Sequence, residues 1–516
     1  MTTRLRQRRE FLGALAAFGL VGCGGSGGHN QFVVANSSAD DARLQAAVDQ
    51  IDGMANALMQ KSGLPGMAVA VVRGDRTIYA KGFGTRVAGT QAPVDADTVF
   101  QLASMSKSIG ASAVAQQVGL GGIAWDTPVR RNLPWFELKD PAVSAQLTIG
   151  DLYSHRSGLP EFAGDRLEDM GYDQLQVLQR LRYLPLDPFR NTYHYTNFGL
   201  TAGATAVATA AGMDWASLCE RAIYTPLGMS RTSSRFADFQ TRSNRVVGHV
   251  KANGVYVPGP VRMPDAQAPA ASVTSSVNDV ARWLSMMLGQ GVYAGKTIVD
   301  ASALAAAVSP QIQTSPASAD RPAGHYGFGF NVGTTAAGHA SFSHSGAFAL
   351  GTGTAFTVVP ATGVGMVALT NATPIGIPET LVAQFFDLVQ FGSIQRPWAD
   401  ILTNAFAPFA EPEGSLVGIA RPTQPAPAKA LSAYAGTYGN AYHGPAQVVQ
   451  EGGGLVLVLG PTPLRLPLTH WDGDVFTFTL FNENATPGTI SKASFAGDRV
   501  TLEYYDRQGL GTFVRG

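Results

Sequence analysis

Apolar residues recur at Leu44, Val48, Ile51, Met54 and Leu58. That spacing places them on one face of a helix and predicts an amphipathic helix from Asp40 to about Lys61. A continuous apolar run, Met67–Val72, is followed across Gly74-Asp75 by Thr77–Ala80. Two extended runs around such a turn pair read as a β-hairpin. A second helix is expected from near Ser104 to about Val118, with Gly119 able to end it. From there to about residue 325 the pattern is helical, interrupted by Pro- and Gly-rich loops. Strand-like runs return at 326–332, 340–343, 353–359 and 364–370, and a helix is expected over 379–391. Strands at both ends enclosing a helical middle predict an α+β domain. Its antiparallel sheet would be assembled from both ends, flanked by helices and joined to a helical region.

After residue 407 the pattern changes. Residues 408–430 are rich in Pro and Ala, with Pro422, Pro425 and Pro427 closely spaced, and read as a linker. From 431 to 516 almost every apolar run is short and alternating, at 446–450, 455–459, 464–468, 475–481 and 500–505. A small all-β, barrel-like module follows from that rhythm. The layout is therefore a domain over 39–407, a linker over 408–430 and a β-module over 431–516.

The first 38 residues read differently again. Arg4, Arg6, Arg8 and Arg9 precede an apolar stretch, Phe11–Val21, too short to span a bilayer. Residues 1–22 read as an export signal, and Arg8-Arg9-Glu10-Phe11-Leu12 resembles a twin-arginine signal. Leu20-Val21-Gly22-Cys23 resembles a bacterial lipoprotein signal, which implies lipidation of Cys23. Residues 23–38 would then be a flexible tether. The expected location is the periplasmic face of a bacterial membrane, with the lipid as the membrane contact. Only Cys219 would remain, so no intramolecular disulfide could form, and its helical context reads as a buried small side chain.

Composition narrows the partners. Hydrophobic residues at 45% and charged residues at 14% supply material for a large core and exclude a disordered chain. Lys+Arg and Asp+Glu are equal at 37 each, so no basic excess is available for a nucleic-acid backbone. Nine His and two Cys show no zinc-type spacing, and no Gly-rich nucleotide motif occurs. No cofactor and no metal are expected; the expected partner is a small-molecule or peptide substrate. Gly24-Gly25-Ser26-Gly27-Gly28 has the Gly-x-Ser-x-Gly spacing of a nucleophile elbow but lies in the tether, without a strand before it or a helix after it.

Three short patterns carry chemistry. Ser104 and Lys107 sit three apart at the start of a helix, so a hydroxyl and an amine share one face. A serine needs such a neighbour to become a nucleophile. Tyr-x-Asn occurs at Tyr195/Asn197 and at Tyr438/Asn440; His-x-Gly occurs at His325 and at His344-Ser345-Gly346. Tyr153 and His155 read as loop-packing residues.

The order Ser104/Lys107, Tyr195/Asn197, His344-Ser345-Gly346 is similar to that of the serine β-lactamase and penicillin-binding-protein superfamily. So are the flanking stretches Phe100-Gln-Leu-Ala-Ser-Met-Ser-Lys107, Leu147-Thr-Ile-Gly-Asp-Leu-Tyr-Ser-His-Arg-Ser-Gly-Leu-Pro160 and Ile223-Tyr-Thr-Pro-Leu-Gly-Met229. They resemble its class C-like branch, which holds β-lactamases, D-alanyl-D-alanine carboxypeptidases, D-aminopeptidases and esterases. Tyr326-Gly-Phe-Gly-Phe330 resembles the strand before the third motif and so assigns that motif to His344 rather than His325. The resemblance covers about residues 50–400, and the β-module resembles one often appended to these hydrolases.

It implies a β-lactamase/transpeptidase-like fold and an acyl-enzyme on Ser104. Lys107 would hydrogen-bond the serine and lower the pKa of Tyr195, which would act as base. Asn197 would bind substrate or hold Lys107, and the N–H groups of Ser104 and Ala347 would form the oxyanion hole. His344, Ser345, Gly346 and Ala347 would form the substrate-binding edge. The family's β-lactamases carry Lys where His344 stands. The expectation is therefore an exported serine hydrolase of a D-amino-acid or cell-wall peptide amide, or of a small ester. The alternatives are a class C-type β-lactamase and a catalytically idle penicillin-recognising lipoprotein.

Overall fold

The computed structural model describes residues 38–318 and 322–516. The expected export signal over 1–22, Cys23 and the expected tether through residue 37 lie outside them.

The first predicted helix is two helices, α1 (Ser38–Asp49) and α2 (Ile51–Ser62), which break at Gln50. The hairpin forms as β1 (Gly66–Arg73) and β2 (Arg76–Gly84), turning at Gly74, whose φ is +58°. Next come α3 (Met105–Gly119), the short α4 (Asp165–Asp169), α5 (Asn197–Ala210) and α6 (Val277–Leu288). The remaining strands of the main sheet are β3 (Ile312–Ser315), β4 (Gly324–Tyr326), β5 (Asn331–Thr334), β6 (Ala340–Phe348), β7 (Thr352–Val359) and β8 (Val364–Thr370). They order as β2-β1-β8-β7-β6-β5-β4-β3, with every pairing antiparallel. The amino-terminal hairpin thus joins a sheet completed some 300 residues later, because β1 pairs with β8 through Val69–Ala368 and its neighbours.

β1 is buried on both faces, as its unbroken apolar run requires. On one side α1, α2, α7 (Ile377–Phe391) and α8 (Trp398–Phe406) cover it; on the other, α6 and the buried helix α3. Residues 105–115 of α3 are buried all round, which its small residues allow. At Gly110 a Cβ would lie 2.8 Å from the ring of Trp215.

The expected single strand over 326–332 is corrected: the chain leaves the sheet at Gly327 and re-enters at Asn331. Gly329, at φ +83°, packs there against the start of α3, where a Cβ would lie 2.8 Å from the Lys107 carbonyl oxygen. Its N–H donates to Tyr153 O at 3.0 Å, and its carbonyl accepts from Ser108 Oγ at 2.6 Å. Tertiary packing overrides the strand pattern at this point.

The carboxyl-terminal module is a closed eight-stranded barrel: β9 (Gly436–Gly439), β10 (Ala446–Glu451), β11 (Gly454–Leu459), β12 (Leu464–Asp472), β13 (Val475–Asn482), β14 (Ala485–Ala496), β15 (Arg499–Leu502) and β16 (Thr512–Arg515). Burial alternates along β11, as a barrel wall demands. The segment before it runs along the barrel rather than swinging free: Ile490 N–H donates to Glu413 O, and Gly473 N–H to Ala426 O. One apolar cluster joins barrel side chains such as Tyr438, Leu457 and Phe478 to Leu167, Tyr172 and Phe198 of the helical region. The barrel is packed onto the helical region.

Candidate active site

The nucleophile turn is strained at its base. Ala103, fully buried, takes a left-handed φ of +47° immediately before Ser104, the first residue of the helical turn of α3. Lys107, one turn on, is completely buried, and its Nζ lies 3.0 Å from Ser104 Oγ, 2.8 Å from Asn197 Oδ1 and 3.0 Å from Ala270 O. Two of these partners are carbonyl oxygens, which only accept. A neutral amine there keeps its two N–H groups on them and turns its lone pair to the Ser104 hydroxyl. Burial pulls the Lys107 pKa down to about 7, opposed by the charge of Asp165.

Tyr195 and Asn197 enter from the loop that starts α5. The Tyr195 hydroxyl lies beside Ser104, and its ring faces Lys107 Nζ at 4.7 Å. Burial raises its pKa well above the ordinary phenol value, with the Asp165 charge adding to the rise and the Ser104 hydroxyl opposing it. The lowered Tyr195 pKa expected from Lys107 is not what the buried phenol shows. His155 is a strut here: its Nδ1 accepts from Thr196 N–H at 3.2 Å, and its ring packs 4.5 Å from that of Tyr195.

β6 supplies the opposite wall. Gly346 crosses the nucleophile turn so closely that a Cβ would collide with Leu102 O and come within 3.0 Å of Ser104 N. Only glycine fits such a backbone approach. His344 is buried, with Nε2 2.8 Å from the Tyr326 hydroxyl and Nδ1 2.6 Å from Ser345 O. The carbonyl requires a proton on Nδ1, and in the neutral ring Nε2 then accepts from Tyr326. Burial and the Lys107 charge hold its pKa down at about 3.

Ser104, Tyr195, Asn197 and His344 line one cavity of about 220 Å³, together with Ser345 and Ala347. Its outer wall comes from the carboxyl-terminal third of the chain: Phe406 and Phe409 before the barrel, and Tyr442, Asn484 and Arg507 within it. None of these was singled out in the sequence, nor was Asp165, because no local pattern marks them. Asp165, 3% exposed, accepts from Asn197 Nδ2 at 2.8 Å and lines the same cavity. The other motif copies lie elsewhere. Tyr438 is buried in the barrel with its hydroxyl donating to Tyr434 O, and Asn440 braces a barrel loop through Leu510 O and Thr512 O. His325 sits in β4. Cys219 is buried, its thiol pushed up to about 12.

The β-lactamase family profile matches residues 51–379, which hold all three motifs. The chain belongs to the β-lactamase family. A separate profile, a domain of unknown function called DUF3471, matches 420–501, within the barrel and the segment before it. An unguisins hydrolase of Aspergillus violaceofuscus is 26% identical over 84% of this chain and 82% of its own. Penicillin-binding protein 4 of Amycolatopsis lactamdurans is 30% identical over 69% and 92% respectively. Esterase EstB of Burkholderia gladioli is 32% identical over 37% of this chain and 52% of its own. An octameric penicillin-binding protein homologue from Pyrococcus abyssi superposes with a TM-score of 0.60 at 18% identity, over 91% of this chain and all of its own. The protein is a serine hydrolase of this β-lactamase family, with relatives among carboxypeptidases and esterases.

Proposed function

We propose that the protein forms an acyl-enzyme on Ser104 and hydrolyses small esters or peptide amides in preference to β-lactams. The observation that carries this reading is the Ser104 Oγ–Lys107 Nζ contact at 3.0 Å, with the other two Lys107 partners both carbonyl oxygens. Neutral Lys107 takes the Ser104 proton as Oγ attacks the substrate carbonyl carbon. The tetrahedral oxyanion forms beside the Ser104 and Ala347 N–H groups. As it collapses, the carbon–nitrogen or carbon–oxygen bond breaks. The leaving group takes a proton from the Tyr195 hydroxyl, which Lys107 re-protonates. Water then attacks the ester by the same route in reverse roles, releasing the acid and free Ser104. An amine titrating near 7 is matched to this task at neutral pH.

The preference against β-lactams rests on His344. A neutral imidazole bonded at both nitrogens offers no fixed cation for a substrate carboxylate. Among the relatives, an esterase and a D-alanyl-D-alanine-carboxypeptidase/endopeptidase fit ester and amide substrates respectively. The signal-like sequence through Cys23 supports an exported enzyme tethered by lipid, which globomycin treatment and palmitate labelling would check.

A fluorophosphonate probe tests the acyl-enzyme step: wild type should label and Ser104→Ala should not. A panel of p-nitrophenyl esters, D-amino-acid amides, D-Ala-D-Ala peptides and a chromogenic cephalosporin then ranks substrates. Highest kcat/KM on the cephalosporin would overturn the preference.

A further inference from the structure

Asp165 is absent from every motif, yet it ends a continuous chain of bonds to the nucleophile. Its Oδ2 accepts from Asn197 Nδ2 at 2.8 Å, Asn197 Oδ1 accepts from Lys107 Nζ at 2.8 Å, and Nζ meets Ser104 Oγ at 3.0 Å. An amide side chain can present either its oxygen or its nitrogen to a neighbour. Burial and the neighbouring Glu168 raise Asp165 to about 8, and in either protonation state its Oδ2 is the acceptor that holds the NH₂ end of Asn197 and leaves Oδ1 facing Lys107. With the amide reversed, two donors would face each other and Lys107 would lose one of its three partners.

Asp165 is itself held from the barrel side. It opens α4 directly after Gly164, whose φ of +92° and contact with Phe198 leave no room for a side chain. Gly164 N–H donates to the Tyr442 hydroxyl at 3.1 Å. Asn484 Nδ2 donates to Asp169 Oδ2 at 2.8 Å and approaches Asp165 O at 3.5 Å. Arg166 pairs with Glu413 at 2.7 Å and bonds Tyr504 O. Tyr442, Asn484 and Tyr504 all belong to the barrel, and Glu413 to the segment that runs along it.

We propose that Asp165 is a positioning residue of the hydrolase, and that the appended barrel acts on the reaction by fixing Asp165, which fixes the Asn197 amide and through it Lys107. The proposal rests on the serine-hydrolase reading. The charged and titratable groups around Asp165 are Glu168 and Asp169 on its own helix, Lys107 from α3, Tyr195 beside Asn197 and Tyr442 from the barrel. Those around Lys107 include Asp165, His155, His344 and Tyr195. Asp165 is the carboxylate that counters the burial of Lys107.

The test compares Asp165→Ala and Asp165→Asn in the full chain on the best p-nitrophenyl ester, from pH 5 to 9. Asp165→Ala frees the Asn197 amide, so kcat should fall about 10²-fold, the scale of a small misplacement in an active site. KM should stay within about threefold, as expected for a group that does not touch substrate. Asp165→Asn keeps shape and can still present an acceptor, so it should recover at least about a tenth of wild-type kcat. Unchanged kcat in Asp165→Ala overturns the proposal. So does a rise in KM confined to amine-bearing substrates with kcat held, which would make Asp165 a substrate contact. The barrel's part is read from Tyr442→Phe combined with Asn484→Ala, which should lower kcat several-fold; unchanged kcat removes the barrel from the chain of contacts. If wild type neither labels nor turns over, the hydrolase reading fails independently. A crystal structure of Asp165→Ala then still decides, because an Asn197 amide that keeps its bond to Lys107 would refute the wiring.

Discussion

The Tyr326 hydroxyl donates to Nε2 of His344 at 2.8 Å, while Nδ1 of the same ring is spent on Ser345 O. The third motif therefore contributes a neutral, fixed ring. Replacing it with a cation should change selectivity more than chemistry. His344→Lys should raise the cephalosporin-to-ester ratio of kcat/KM about tenfold, the worth of one charged hydrogen bond to a carboxylate. Parallel assays of both substrates read the ratio, and an unchanged ratio would show that no substrate carboxylate reaches this edge.

Lys107 sets the pH dependence. Its pKa near 7 means that activity should rise as pH passes through 7 and the amine loses its proton. Lys107→Arg keeps a cation but cannot deprotonate. Turnover should drop by about 10²–10⁴, the usual contribution of a general base. An acid limb of kcat/KM near 4 in wild type would instead point to a carboxylate.

The two Tyr-x-Asn copies should separate cleanly. Tyr195→Phe removes the hydroxyl beside Ser104 and should cost about 10²-fold or more in kcat with little change in Tm. Tyr438→Phe leaves turnover intact but deletes a buried bond to Tyr434 O, at a cost of about 1 kcal/mol in stability. Urea unfolding and ester turnover of both variants distinguish them.

Gly346→Ala places a methyl group against Leu102 O and the Ser104 backbone. Either β6 or the nucleophile turn must yield, with about 1–3 kcal/mol of lost stability. Labelling by the fluorophosphonate probe should slow markedly, since both partners in the clash build the site.

The barrel interface should loosen as pH rises from about 4 to about 7. Burial raises Asp169 to about 7 and Glu483 to about 7. A carboxyl with a folded pKa above its unfolded value stabilises below the unfolded pKa. That contribution is lost as pH rises through the folded one, here from about 4 to about 7. Asp169→Asn removes one such group, so its stability relative to wild type should improve between about pH 4 and 7 and level off above that. Thermal melts at matched ionic strength measure the difference; a constant gap would contradict it.

The local code of this chain determined much of the site. The apolar run of β1 and the alternation in β11 required strands. The pairing of Ser104 with Lys107 needed only the pitch of a helix, and Gly346 stands where a backbone approach excludes any side chain. Two periodic stretches misled. The 40–61 helix breaks at Gln50, and the run from 326 to 332 leaves the sheet because Gly329 packs on the Lys107 turn. What the tertiary structure alone decided is of a different kind. The motif order singled out Tyr195, but bringing it to the serine depends on α5 lying beside α3. The pKa ordering of Lys107 and Tyr195 follows from burial, which no single segment encodes. Asp165 and Tyr442 reach the site through a packed interface between segments nearly 280 residues apart. Contacts of that separation arise from the closing of the apolar core and leave no periodic trace along the chain.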